Sequence, residues 1–267
     1  MGEVLAPYRA LLASRLRSQL AYRRSFVLDL IGAVGIGVLE LAEVLVIFSS
    51  ITVLGELDLA GALLLFAFAG IGFSLADMAV GHVDSLPRYL RSGTLDAFLL
   101  RPLPVLAQLI TSDLQLRRLG RTAVAAVVLV IALSMNTIAW TPALVVLAVL
   151  TPLFSAIIFA ALFVCAAGVQ FWLVEGGEFA NAFTYGGSYA ASYPTSIFSL
   201  PMRVLFTFVV PAAFTAYLPT LVLLGHAGPA WTPAVLGWFA PVAAAGIWTV
   251  ALLGWRAGLR HYTGAGS

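Results

Sequence analysis

The residues able to do chemistry are few and unevenly placed. Glu40 and Glu43 stand three positions apart in the apolar run LIGAVGIGVLELAEVLVIF, so on a helix they share one face. Asp77 lies near the end of the next apolar run, and Asp29 lies near the start of the first, within reach of Arg23 or Arg24 for an interfacial pair. A carboxylate facing lipid at mid-bilayer costs about 2.5 to 3.5 kcal/mol on insertion scales, so Glu40 and Glu43 are expected to face a bundle interior. There they line a polar translocation path or strengthen a seam between helices or subunits. With no arginine expected within the membrane as a partner, the seam is the slightly favoured reading. His82, His226 and His261 are far apart and lack HExxH or other ligand spacing, so no metal site is expected.

The absences exclude whole classes of function. All 14 basic residues are arginine. Without lysine there is no GxxxxGK[ST] loop, no Schiff base and no kinase-type apparatus, so the chain is expected to hold no nucleotide or other cofactor of its own. No Ser/His/Asp or paired acid and histidine arrangement falls within the apolar runs, which argues against an intramembrane enzyme. The single cysteine, Cys165, sits in an apolar run and reads as a small packing residue.

These side chains must be positioned by membrane helices. Of 267 residues, 61% are hydrophobic and only 10% charged, with a mean hydropathy of +1.02. A soluble fold of this size needs a larger charged shell. Apolar runs at roughly 26–52, 59–81, 119–138, 142–173, 202–224 and 234–255 predict six transmembrane helices, an all-α polytopic fold in one domain over 1–267. The fifth run carries Pro211 and Pro219, either of which can make it a broken or re-entrant element.

The arginines orient these runs. Arg9, Arg15, Arg17, Arg23 and Arg24 precede the first, and Arg88, Arg91, Arg101, Arg117, Arg118 and Arg121 fall between the second and third. Arg203 precedes the fifth, Arg256 and Arg260 follow the sixth, and the other gaps hold none. By the positive-inside rule both termini, the 82–118 segment and the 174–200 segment are expected to be cytoplasmic. Residues 1–25 read as an interfacial amphipathic helix, with an ordinary charged tail as the alternative. The 174–200 segment carries Glu175 and Glu178 and then Tyr185, Tyr189 and Tyr193 at four-residue spacing. That spacing predicts a helix lying at the interface, an aromatic belt or a second protein contact.

The 82–118 segment is the longest polar stretch. Val83, Leu86 and Leu90, then Leu95, Phe98 and Leu99, recur at three- and four-residue steps, predicting two short amphipathic helices. Ser92-Gly93 separates them, Thr94 is placed to cap the second, and Pro102 and Pro104 stop it. With Arg88, Arg91, Asp96 and Arg101 turned to water, the pair forms either a docking element for a cytoplasmic partner or a topology anchor on lipid headgroups.

Residues 91–104, RSGTLDAFLLRPLP, resemble the Gly-Thr-Leu-acid, Leu-Leu, Pro pattern in the first cytoplasmic loop of ABC-2 type transporter permeases. AYRRSF before the first run, the stretch from Ser192 to Gly225 and the closing GLRHYTGAGS extend the resemblance over nearly the whole chain. It implies that 82–118 holds a coupling helix for a separately encoded ATPase, present in two copies and carrying ATP and Mg. Gly93, Thr94, Leu95 and Asp96 match the motif, and Arg88 and Arg91 flank it. The family's usual run of alternating charges before Gly-Thr is reduced here to Asp84, Arg88 and Arg91. The resemblance further implies a second permease, identical or a sister chain, a bacterial inner membrane with its lipids as surroundings, no nucleic acid, and export of an amphipathic small molecule or lipid-like cargo. The competing reading is a proton-coupled secondary transporter with Glu40, Glu43 and Asp77 as its relay; a purely structural membrane subunit is a third.

Overall fold

The computed structural model describes residues 22–173 and 177–263, with Ser14 and Arg17. Most of the expected interfacial helix over 1–25, up to Ala21, and Glu175 lie outside the described residues, while Arg23–Ser25 already belong to the first crossing. Among those described, the chain consists of helices joined by turns and irregular connections, with one isolated bridge between Leu54 and Leu57 and no strand. Five helical stretches are long and apolar enough to cross a membrane, and a bent pair, Leu200–Val209 with Ala212–Leu223, passes the same test jointly.

The first crossing, α1 (Arg23–Ser50), buries only a narrow stripe of Ala33, Gly37 and Val44. The second, α2 (Leu59–Val80), is the central helix and buries most of its residues on all sides. Asp58 starts it, its carboxylate accepting the Gly61 amide at 2.9 Å. A helix that is apolar all round, with small residues at 60–62, 67, 69–70 and 72, can be surrounded closely by others. The short elements of the 82–118 segment follow: α3 (Leu86–Arg91), α4 (Asp96–Leu99) and α5 (Val105–Ser112). Next come α6 (Leu119–Met135) and α7 (Pro142–Val169), then α8 (Gly177–Ala191), α9 (Leu200–Val204), α10 (Tyr217–Leu223) and α11 (Ala240–His261). α2 packs on α6 and α7, α1 on α6, and α11 on α7. At Gly120 any larger side chain would press on the Leu30 carbonyl, 2.7 Å from an added Cβ, so glycine lets α1 and α6 meet closely.

The contacts revise the fifth crossing. The end of the bundle that carries 81–118 is termed the loop end, and the opposite end the far end. The bent pair turns by 69° at its break, and both its limbs reach the far end. It is entered just after Ser196, whose hydroxyl donates to Glu56 at 2.7 Å in the connection between α1 and α2. It leaves through Tyr217, which donates to the same carboxylate at 2.9 Å, and Leu224, which packs near Gly61 at the start of α2. Its middle reaches Val210, whose Cγ1 lies 3.7 Å from where a Cβ on Gly187 of α8 would stand. Residues 200–223 therefore dip into the bundle and return, which decides between the two forms that Pro211 and Pro219 allowed.

The crossing itself is made by 177–197. Asn181 stands beside Gly81 and His82 at the loop end, Tyr185 packs on Phe73, and Ser196 meets Glu56 at the far end. The tyrosine helix thus runs along α2 instead of lying on a cytoplasmic interface. Its Gly, Ala, Ser and Tyr composition suits a helix held against protein more than against lipid. Among the described residues six crossings remain, and the start of α1 at Arg23 and the end of α11 at His261 lie at one end of the bundle. Arg203, expected on the cytoplasmic side, lies instead at the far end, beside Phe198.

Candidate functional site

The loop end is built on a rigid root. A 3-10 turn, Gly81–Ser85, leaves α2 and leads into α3. Val83, Leu86, Leu90 and Leu95 are buried and join the bundle core. That is the apolar stripe expected from the spacing, except that Leu99 is 48% exposed. Gly93 turns the chain with φ +66°, a region that costs other L-residues about 1 to 2 kcal/mol. The break at Ser92-Gly93 is therefore where expected. The cap is not: α4 starts at Asp96 without a side-chain cap, and the Thr94 hydroxyl is 2.8 Å from that of Ser92 instead. The Asp96 amide is taken by the Gly93 carbonyl at 3.2 Å, not by Thr94.

Two polar residues to which the sequence assigns no structural role, Gln108 and His82, hold this root. Gln108 on α5 is buried, and its amide donates to the carbonyls of Phe98 and Leu103 at 2.9 and 2.8 Å, fixing the end of α4 and the proline turn. His82 Nε2 is 3.0 Å from the Tyr89 hydroxyl, and the Tyr89 ring packs on Phe98. A glutamine two-thirds of the way along a polar loop gives no periodic signal by itself; only its burial reveals the role. What faces outward is the tip: Arg88, Arg91, Ser92, Thr94, Leu100 and Arg101, with Leu100 at 87% exposure. Asp96 is half-buried at its rim.

The intramembrane acids are not left without partners as expected. Arg118 and Arg121, at the start of α6, reach into the bundle from two positions three residues apart. Arg118 Nε lies 2.8 Å from Asp77 Oδ2 on α2, and its Nη2 donates to the Tyr185 hydroxyl at 3.4 Å. Arg121 is ion-paired with Glu40 on α1 and lies over the Phe73 ring at 5.4 Å. This corrects the expectation that no arginine was in reach. α6 begins at Leu119, so Arg121 is inside the helix, and the close α1–α6 approach brings it to Glu40. Two arginines at the start of α6 thus tie that helix to α1, α2 and α8. Asp29 makes no ion pair among the described residues; it faces Asp113, Gln115 and Arg117.

Glu43 differs from Glu40. It is exposed, makes no ion pair among the described residues, and borders a small recess with Glu40, Ser188, Tyr189, Ser192 and Tyr193. The structure therefore brings Glu40 and Glu43 to one polar face with α8, while Asp77 stands apart toward the loop end. Among the described residues no three His, Cys, Asp or Glu side chains converge as metal ligands.

A family model described as ABC-2 family transporter protein matches residues 34–266. The chain belongs to this family. The match takes in all six crossings apart from the start of α1, and it includes the root, the tip and the far-end hairpin of this ABC-2 protein. No curated protein and no solved structure matches the chain. Membership makes it the membrane part of a transport system associated with an ABC ATPase.

Proposed function

We propose that the chain is the permease subunit of an ATP-driven exporter, driven by two copies of a separate ATPase that carry ATP and Mg. The observation that supports this best is the exposed tip on its buried root. Leu100, Arg88, Arg91 and Arg101 offer an apolar contact ringed by charge, while Leu86, Leu90 and Leu95 transmit any push on the tip into α2 and its neighbours. A segment that only held the topology would need the arginines but not an outward-facing leucine. With every described arginine except Arg203 near the loop end, that end is the cytoplasmic one, both termini included, in a bacterial inner membrane.

A second permease, identical or a sister chain, covers the face bearing Glu43. An exposed carboxylate midway along an apolar helix is costly against lipid, and the serine and tyrosine hydroxyls beside it supply a wall for a polar path. Glu40 and Asp77, each paired with an arginine, act as struts beside that path. Their pairing also removes two of the three acids a proton relay would use. Cargo amphipathic enough to cross such a seam, a lipid-like or drug-like molecule, fits a wall that is polar on one face and apolar elsewhere.

Affinity purification of the tagged chain from its host tests the reading. An ATPase should co-purify, with ATP hydrolysis that the variant Arg91→Glu/Leu100→Asp suppresses while the permease keeps its thermal stability. Transport by the isolated chain along a proton gradient without ATP would overturn it.

A further inference from the structure

The far end holds one arginine among the described residues, and nothing in the transport reading uses it. Arg203 is half-buried on α9, its Nε donating to the Phe198 carbonyl. It makes no ion pair among the described residues, although Glu56 stands at the same end, its carboxylate already accepting from Ser196 and Tyr217. One turn further along lies Thr207, buried to 1% exposure with an unpartnered hydroxyl. A helical threonine ordinarily donates to the carbonyl four residues back, here that of Arg203. Leu205–Val209 is instead a π-helical turn, which changes that register, a feature frequent at functional sites.

Thr207 lines a groove of about 620 Å³ between the hairpin and α11, together with Phe208, Pro211, Phe214, Phe239 and Ile247. Its size falls within the range of about 300 to 1,000 Å³ usual for ligand sites. The groove opens sideways from the bundle, with Phe208 60% exposed. At that depth the surrounding medium is hydrocarbon. The occupant must then be apolar along the groove, able to accept a hydrogen bond at Thr207, and negatively charged where the chain nears the membrane surface at Arg203.

We propose that this groove binds an anionic phospholipid of the far-end leaflet. The phosphate pairs with Arg203, a glycerol ester oxygen accepts from Thr207, and an acyl chain lies along Phe208, Phe239 and Ile247. Arg203 suits a phosphate because its planar guanidinium donates two hydrogen bonds side by side. The site is independent of ATP coupling.

The test uses the full chain in phosphatidylcholine nanodiscs doped with phosphatidylglycerol carrying a photoreactive group in its acyl chain, with labelled peptides mapped by mass spectrometry. Label should fall on 207–214 and 239–250, and a phosphatidylcholine probe should label them about fivefold to tenfold less, the loss expected for one charge-assisted contact. Arg203→Gln should abolish that preference, Arg203→Lys should keep most of it, and Ala243→Phe, at a lining position on α11 where the larger ring fills the groove, should remove the label while Arg203 remains. Equal labelling by both lipids, or a preference untouched by Arg203→Gln, would overturn the proposal.

Discussion

The Tyr217 hydroxyl donates to Glu56 at 2.9 Å, joining residues 161 positions apart. Glu56 precedes α2, so this bond returns the 200–223 hairpin to the end from which it entered. Single-cysteine variants Ser199→Cys and His226→Cys, in a Cys165→Ala background, should therefore react with an impermeant maleimide from the same side of the membrane, opposite Arg91→Cys. Labelling of positions 199 and 226 from opposite sides would make the hairpin a crossing.

Glu40 and Arg121 form a pair that is mostly shielded from solvent. Removing one partner leaves a charge without compensation, which costs about 3 kcal/mol for buried pairs. Glu40→Gln and Arg121→Gln should each lower the unfolding temperature in detergent, and the double variant should recover much of the loss. Additive losses would mean that the two side chains act separately.

Gly93 and Leu95 make different contributions to the same turn. Gly93→Ala should cost about 1 to 2 kcal/mol through its positive φ. Leu95→Ala, at a fully buried position, should cost about 2 to 5 kcal/mol. Denaturation of the purified chain monitored by tryptophan fluorescence would rank them, Leu95→Ala being the larger.

Gln108→Leu keeps the side-chain size but leaves the carbonyls of Phe98 and Leu103 without their donor. The expected penalty is about 1 to 3 kcal/mol, and proteolysis near Arg101 should become faster than in the parent chain. Unchanged cleavage would show that α4 and the proline turn are held by other contacts.

Much of the fold was legible because hydropathy reports what faces lipid. α1, α2, α6, α7 and α11 follow the expected runs, and the two short helices divide at Ser92-Gly93. The tyrosine helix does not stand out as a crossing in the sequence, since Gly186, Gly187, Ser188 and Ser192 lower its hydropathy while packing against protein supplies its stability. The apolar 202–224 run resembles a crossing for the converse reason: a re-entrant element at membrane depth needs the same residues as a span. The sequence leaves Arg121 with the loop because a charge near a boundary gives no sign of the direction in which its side chain points. Gln108 and Thr207 were invisible for a simpler reason, as burial of a lone polar residue depends on tertiary contacts.

The most direct measurement of the coupling claim is site-specific photo-crosslinking from position 100 in the membrane-reconstituted complex, with lipid-facing position 127 as the control. Position 100 should crosslink to an ATPase peptide, in a yield that changes on adding ATP, while position 127 should crosslink only to lipid. An ATPase bound to the complex without any crosslink from position 100 would contradict the role assigned to the tip.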